Sequence, residues 1–179
     1  GTELTSLVLL GVVMVDLAML PATCFGAGQV AAETALGFMG ATNVSYSESG
    51  NSYTVIYKNE EGTSYEFKGT YDAAADALVC SASADGVESL YSEYRKTSYG
   101  YAGQSYLVSD DGAAVIYKIA LMGEDGFIGV TESAGKPSAL TGGEASDFPK
   151  TCEQWYGITE GTVTGLTGEG EQLSFPYVP

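Results

Sequence analysis

Hydrophobic residues dominate the start of the chain, where residues 4–20 read LTSLVLLGVVMVDLAML. At 100° per residue, Thr5 and Asp16 fall on one narrow strip of a helix, but Leu9 and Val12 fall on that strip too. A surface helix normally keeps more than half of its circumference polar. The pattern therefore predicts a long apolar helix that is buried by a sheet, by a membrane or by a partner groove, and a surrounding sheet is the favoured cover.

A second, shorter helix is predicted at residues 29–39, where Val30, Thr34 and Phe38 recur at helical spacing. From Asn43 onwards the hydrophobic period changes from helical to alternating, which indicates strands. Strands are predicted at residues 52–58, 63–71, 77–84, 88–97, 104–109, 113–122 and 127–131. Asp-Gly pairs between several of them supply the positive φ of tight hairpin turns. Residues 88–97 also fit a helix face, but a strand is favoured because the flanking segments are strands.

The last part of the chain, residues 134–179, is rich in Pro, Gly, Thr and Ser and has no clear strand pattern. Its aromatic residues, among them Trp155, argue against a disordered tail, since disordered segments are poor in them. We expect irregular chain that packs along the domain, with a short helical turn near residues 149–156.

These segments together predict a single α+β domain over residues 1–179. Residues 2–40 form its helical N-terminal part, and residues 134–179 form the irregular extension. Between them, residues 43–133 form an antiparallel β-meander of about seven strands, curved like a half-barrel around the long apolar helix. In architecture alone, this arrangement resembles the helix in a curved sheet of bacterial lipoprotein-carrier and related envelope proteins.

The formal net charge of −16 comes from 23 acidic residues against seven Lys and Arg. Because the few cations are scattered, the charge excludes nucleic acid as a partner and disfavours anionic membrane surfaces. Contact with a membrane is expected only through an anchor upstream of this chain. The start at Gly1 in place of Met suggests a processed or engineered N-terminus, such as the residue left by tag cleavage, and is compatible with earlier removal of a signal peptide. The favoured explanation of the excess of acidic residues is solubility.

The chain contains no His, which excludes catalytic triads and sites that rely on imidazole ligands. A carboxylate-only hydrolase is the remaining enzymatic alternative, with Glu88, Glu93, Asp110 and Asp111 near predicted strand ends as its candidates. Ordinary turn acids are the favoured explanation of these residues. Because the acidic pairs lack the alternating spacing of a calcium loop, no metal and no other cofactor is expected.

The three cysteines, Cys24, Cys80 and Cys152, lack the spacing of a redox or zinc motif. Cys24 and Cys152 are the more favourable disulfide pair, because both are placed near ends of predicted elements while Cys80 lies within a strand. Three buried free thiols are the alternative.

The densest aromatic cluster is the candidate binding site, and it comprises Tyr91, Tyr94, Tyr99, Tyr101 and Tyr106. Exposed tyrosines offer an apolar body and a polar tip to a ligand, although tyrosines packed in a core have the same spacing. The leading hypothesis is a non-enzymatic extracytoplasmic bacterial module, secreted or anchored in the cell envelope. It would bind or scaffold, with an apolar small molecule as ligand. The alternative is a cell-surface module that recognises protein or glycan through exposed tyrosines.

Overall fold

The computed structural model of the protein describes residues 19–109 and 111–177. These residues form one α-helix, α1 (Gln29–Gly37), and two 3₁₀ turns, Leu20–Cys24 and Phe148–Thr151. They also form eleven β-strands: β1 (Thr42–Ser49), β2 (Ser52–Lys58), β3 (Ser64–Asp72), β4 (Ala77–Ala84), β5 (Val87–Lys96), β6 (Tyr101–Val108), β7 (Ala114–Met122), β8 (Asp125–Glu132), β9 (Gln154–Thr159), β10 (Thr162–Leu166) and β11 (Gln172–Pro176).

The strands are hydrogen-bonded in the order in which they occur along the chain, from β1 to β11, in an antiparallel sheet. The chain forms two compact units. The first comprises Gly1–Ala74 and Leu78–Tyr91, and the second comprises Ala75–Ala77 and Ser92–Pro179. The expectation of one domain over residues 1–179 stays a prediction.

The predicted fold class was wrong, because the described chain is mostly β and its one α-helix is short. The β-meander is confirmed, but it has eleven strands rather than about seven curved around a long apolar helix. Three of the additional strands lie in the extension that was expected to be irregular, where a helical turn is present at Phe148–Thr151. Of the predicted long helix, residues 4–18 lie outside the described part of the chain.

The core of the first unit is built on one face of β1, β2 and β3. Val55 on β2 lies opposite Phe67 on β3, and both side chains are buried. The ring of Phe25 stacks on Tyr53 with centroids 4.8 Å apart and lies 5.9 Å from the ring of Phe67. Gly69 makes this arrangement possible, since a Cβ atom at that position would overlap the Phe25 ring.

Helix α1 covers the outer edge of β1 through the side chain of Gln29. Its Nε2 donates to the carbonyl of Val44 at 2.8 Å, and its Oε1 accepts the amide of Tyr46 at 2.6 Å. A neighbouring strand would make the same pair of bonds, so Gln29 occupies an edge at which another chain could pair. These bonds also set the rotation of α1, whose buried side chains are Ala32 and Leu36.

The core of the second unit contains a row of cross-strand neighbours, which are three small residues and one large aromatic residue. The row runs from Ala102 through Ala120 to Phe127 on β8 and ends at Gly157 on β9. A Cβ atom at Gly157 would overlap the Phe127 ring. The Lys150 ammonium lies 4.4 Å from the centroid of this ring, which provides a cation–π contact above the row.

The 3₁₀ turn Phe148–Thr151 lies against the same face. The carbonyl of Pro149 and the side chain of Cys152 come so close to Gly129 that a Cβ atom there would overlap both. The Lys118 ammonium donates to the hydroxyl of Thr151 at 2.9 Å. The irregular chain that joins β8 to β9 therefore forms the cover of this part of the sheet.

Replacement of Gly69 tests the packing of the first unit. We expect Gly69→Ala to lower the free energy of unfolding by about 1–3 kcal/mol, because the added methyl group displaces the Phe25 ring. The control is Gly37→Ala at the end of α1, where no atom lies within 4 Å of the added carbon. Urea denaturation followed by circular dichroism measures both changes. Equal stabilities of the two variants would contradict the packing described for Phe25.

Replacement of Gln29 tests the protection of the β1 edge. We expect Gln29→Ala to cost about 1 kcal/mol, since two exposed backbone groups exchange their amide partner for water. Gln29→Glu removes the amide that donates to both Val44 and Glu33 and puts a second carboxylate beside Glu33, so its stability should be no higher than that of the Ala variant. Denaturation combined with light scattering measures stability and aggregation together. An Ala variant as stable and as soluble as the parent would refute the edge-capping role.

Candidate functional site

A groove of about 400 Å³ lies on the second unit, on the face opposite its core. Its walls are Tyr94 from β5, Tyr101 from β6 and the aliphatic side chains of Ile119 and Leu121 from β7. Ala102 and Gly103 complete the lining. The register explains four of these residues, because Tyr101 lies opposite Leu121 and Gly103 lies opposite Ile119, so these four positions share one face.

The two tyrosine rings meet edge to face, with centroids 5.9 Å apart and an interplanar angle of 72°. They form two walls at a steep angle rather than one flat platform. Leu121 is 51% exposed, and both rings are more than one third exposed. The groove therefore presents apolar surface to solvent from three neighbouring strands.

Asp76 accepts a hydrogen bond from the phenol of Tyr101. The phenol donates to Asp76 Oδ2 at 2.6 Å, and the carbonyl of Asp76 accepts the amide of Lys96 at 3.1 Å. Asp76 has a positive φ of 45°, which is uncommon for a residue with a side chain and marks a turn. The contact fixes the phenol, so the ring is positioned before any ligand arrives.

The turn between β5 and β6 brings Tyr101 close to Leu121. The amide of Thr97 donates to the carbonyl of Gly100 at 2.9 Å and closes the turn. Gly100 has a φ of 150° and lies directly against the carbonyl of Leu121, so a side chain at this position would collide with the β7 backbone. Glycine is needed here for both reasons. The close approach of the turn to β7 brings Tyr101, on one wall of the groove, next to Leu121 on the other.

The other predicted site tyrosines lie elsewhere. Tyr91 is three residues from Tyr94 and Tyr106 is five from Tyr101, and odd separations along a strand place side chains on opposite faces. Tyr91 belongs to the first unit. Tyr99 lies in the turn and donates to the carbonyl of Ala145 at 3.5 Å. Burial raises the pKa of Tyr99 more than its hydrogen bond to Thr97 lowers it, and the charge of Glu144 raises it further. A binding role for any of the five stays a prediction.

Glu93 and Gln104 form a buried polar pair that the sequence did not single out as a pair. Glu93 is only 7% exposed, and its Oε1 accepts Gln104 Nε2 at 2.5 Å and the amide of Leu140 at 2.8 Å. Gln104 also donates to the carbonyl of Ser138 at 2.6 Å. These bonds fasten the irregular chain after β8 onto the sheet. The strand register would have placed both side chains on one face, but their loop partners have no signal in the sequence.

The remaining carboxylate candidates are separate from this pair. Asp111 accepts the hydroxyl of Ser109 at 2.6 Å and the amide of Ala113, and the hydrogen bond from Ser109 is the largest cause that lowers its pKa. Glu88 is exposed on β5 in the first unit, and Asp110 lies outside the described residues. Asp111 thus stabilises a hairpin turn.

All three cysteines are buried, and the structure has them as free thiols. Burial raises the pKa of Cys80 to about 12 and also raises that of Cys152, against which the charge of Lys118 acts in the opposite direction. A raised pKa lowers the thiolate fraction and therefore the reactivity. The disulfide between Cys24 and Cys152 stays a prediction.

Two further observations concern the described part of the chain alone. Within residues 19–109 and 111–177, no group of three or more Cys, Asp or Glu side chains is arranged to hold a metal ion. In the same residues, no helix combines the length and the apolar character that crossing a membrane requires.

Comparison with known proteins gave no match: no family model fits the chain, and no curated protein or solved structure matches it.

The pKa of Cys80 predicts a pH dependence of stability. Burial raises this pKa from 9.0 to about 12, so the folded state holds the proton more tightly than the unfolded chain. The contribution to stability is complete below pH 9 and is lost as the pH rises towards 12. When the pH is raised from about 7 to about 10, the free energy of unfolding should fall by about 1 kcal/mol less in Cys80→Ala than in the parent.

Urea denaturation at the two pH values measures this difference, and Leu90→Val is the control. Leu90 is buried in the same unit but does not titrate, so its substitution should lower stability equally at both pH values. The same pH dependence in the parent and in Cys80→Ala would show that the thiol makes no such contribution.

Proposed function

We propose that this protein is a non-enzymatic binding module and that the groove between Tyr94 and Tyr101 takes a small apolar group. The observation that carries the proposal is the groove itself, in which two tyrosine rings and two aliphatic side chains surround about 400 Å³. An extracytoplasmic location, in a bacterial envelope or outside the cell, is part of the proposal and is supported by the strong acidity and the Tyr-rich and Gly-rich strands.

The size and the lining of the groove favour an apolar ligand. Small-molecule sites commonly measure about 300–1,000 Å³ and are lined mainly by hydrophobic and aromatic side chains. Among the described lining residues, only Tyr94 and Tyr101 carry polar side-chain groups, and the phenol of Tyr101 already donates to Asp76. A ligand that covers the exposed part of Leu121 and the ring faces gains about 25 cal/mol for each Å² of apolar surface removed from water.

Recognition of a glycan is the second candidate, and the ring geometry supports it less well. A sugar stacks on an open aromatic face and needs hydrogen-bonding groups around that face. Here the edge of one ring meets the face of the other, and aliphatic side chains form the rest of the walls. The groove therefore suits a compact hydrophobic group better than a pyranose ring.

Substitution of Gly103 tests the site without removing a wall. A Cβ atom at Gly103 would meet only ordinary contacts, at 3.6 Å from the carbonyl of Glu93 and 3.9 Å from Tyr94. Gly103→Leu should therefore fold and should fill the groove with its side chain. We expect neutral probes such as indole and cyclohexanol to shift the amide resonances of Gly103, Ile119 and Leu121 in the parent. In Gly103→Leu, their affinity should fall at least about tenfold, which is about 1.4 kcal/mol.

The matched control is Gly103→Ala, which adds one methyl group and should keep most of the affinity. Glucose and N-acetylglucosamine oligomers, used at the same concentrations, test the glycan alternative at the same resonances. Probe-induced shifts that cluster away from the groove, or equal affinity in the parent and in Gly103→Leu, would refute the proposed site. Sugar binding without indole binding would favour the second candidate.

A further inference from the structure

The face of the second unit that carries the groove is apolar along two cross-strand rows, which we call the open face. The register from β6 to β11 places one residue of each strand in the first row. Its members are Tyr101, Leu121, Gly126, Ile158, Val163 and Phe175. The second row lies two residues away on each strand, and it begins at Gly103 and ends at Leu173. None of these twelve positions holds a charged residue.

The side chains of the open face are exposed although they are apolar. Leu121 and Phe175 are 51% and 50% exposed, Tyr101 is 36% exposed, and Gly165 is the one buried residue of the two rows. On the opposite face of the same strands, the corresponding row is buried and the 3₁₀ turn Phe148–Thr151 lies against it. A contiguous apolar face with this much exposure marks a surface that contacts another molecule.

The area of the open face matches what a stable dimer needs. At their observed exposure, Tyr101, Leu121 and Phe175 each offer about 100 Å² of the roughly 200 Å² that a large side chain presents. Tyr94 adds a similar area beside them in the groove, and the partly exposed positions of the two rows add about 300–400 Å². The total of about 700–800 Å² is close to the contribution of one chain to a standard interface, which is about 800 Å². A second copy of the same face supplies the matching half.

The two edges of the open face are complementary to each other. The vacant side-chain position at Gly103 makes the groove a hollow at the β6 edge, whereas the β11 edge carries Leu173 and the half-exposed ring of Phe175. These edges are five strand spacings apart, which is about 24 Å. A two-fold axis parallel to the strands, between β8 and β9, places β6 of one copy over β11 of the other. Both grooves then receive β11 side chains of the partner in the same contact.

This geometry is an ordinary packing of two sheets. Sheets that pack face to face lie about 10 Å apart, with their strands within about 30° of each other. Because the contact uses the same surface of both copies, it closes on itself and stops at a dimer.

We propose that the open face is the interface of a two-fold symmetric dimer, in which the groove of each copy takes the side chains of Leu173 and Phe175 from the other. This inference rests on the proposed function, because it names the apolar group that the groove binds. The acidic residues Glu124 and Glu160 are exposed in the β7–β8 and β9–β10 turns, and the same axis relates these two turns. The contact therefore brings like charges together at its border, and about 0.5 M salt limits their repulsion to short range.

Sedimentation velocity of the full chain in high salt, at concentrations up to about 1 mM, measures the association. We expect a dimer whose fraction rises with concentration. Phe175→Ser removes the inserted ring and Gly103→Leu fills the hollow, so each should weaken the dimer at least about tenfold. The matched control is Phe38→Ser, because Phe38 is 89% exposed but belongs to the first unit. Its dimer should be as tight as that of the parent.

Disulfide cross-linking tests the position of the axis. The three native thiols are buried, so a cysteine introduced at position 103 or 175 provides the accessible thiol. A mixture of Gly103→Cys and Phe175→Cys proteins should form a covalent dimer under mild oxidation, whereas neither variant should do so alone. Efficient cross-linking of either variant with itself would overturn the proposed arrangement.

Indole binding to the Phe175→Ser variant separates this inference from the proposed function. In that variant the groove is free of the partner's ring, so indole should shift the amide resonances of Gly103, Ile119 and Leu121. A parent that stays monomeric at every concentration, while indole binds the groove, would overturn the dimer and leave the proposed function standing. A parent dimer that Gly103→Leu does not weaken would overturn it too, because the copies would then associate through another surface. A parent dimer that Gly103→Leu weakens, without indole binding to Phe175→Ser, would support the dimer and refute the binding of free small molecules.

Discussion

Glycine residues inside the strands decide where aromatic rings can lie on the sheet, and the cores of both units depend on this constraint. In the first unit, the ring of Phe25 occupies the space above Gly69. In the second unit, the ring of Phe127 occupies the space above Gly157, and Gly129 admits the irregular chain beside it. A strand glycine weakens its strand locally, because it has no side chain to pack and loses more backbone entropy. The packed rings offset that cost, since each removes apolar area from water.

The same constraint also creates the groove. At Gly103 no ring fills the vacant side-chain position, and the nearest atoms stay at ordinary contact distance. Tyr94 and Ile119 stand on either side of this gap, and Tyr101 and Leu121 close one end of it. The sequence identified both tyrosines as candidates. It did not identify the aliphatic walls, because the predicted strand began at residue 104 and left out Tyr101 and Gly103, which lie opposite Leu121 and Ile119.

Much of the strand pattern could be predicted from the sequence, because strands bury alternate side chains. The prediction failed where glycine residues interrupt this alternation. Strand-forming residues between turn segments locate β2 and β4 to the residue. The strands β9 and β10 were missed because Gly157 and Gly165 interrupt their hydrophobic alternation at the positions where rings pack. The half-barrel was wrong because it assumed that one long helix would cover the sheet. In the structure, aromatic rings and the chain around Phe148–Thr151 provide much of that cover.

The orientation of α1 shows how an edge strand can override hydrophobic periodicity. The spacing of Val30, Thr34 and Phe38 suggested a buried stripe, yet the helix buries Ala32 and Leu36 instead. Two hydrogen bonds between Gln29 and β1, one donated and one accepted by the Gln29 side chain, hold the helix in this rotation, and unpaired edge groups would otherwise be open to pairing with another strand. An interaction that protects the sheet edge therefore turns the larger apolar side chains outward.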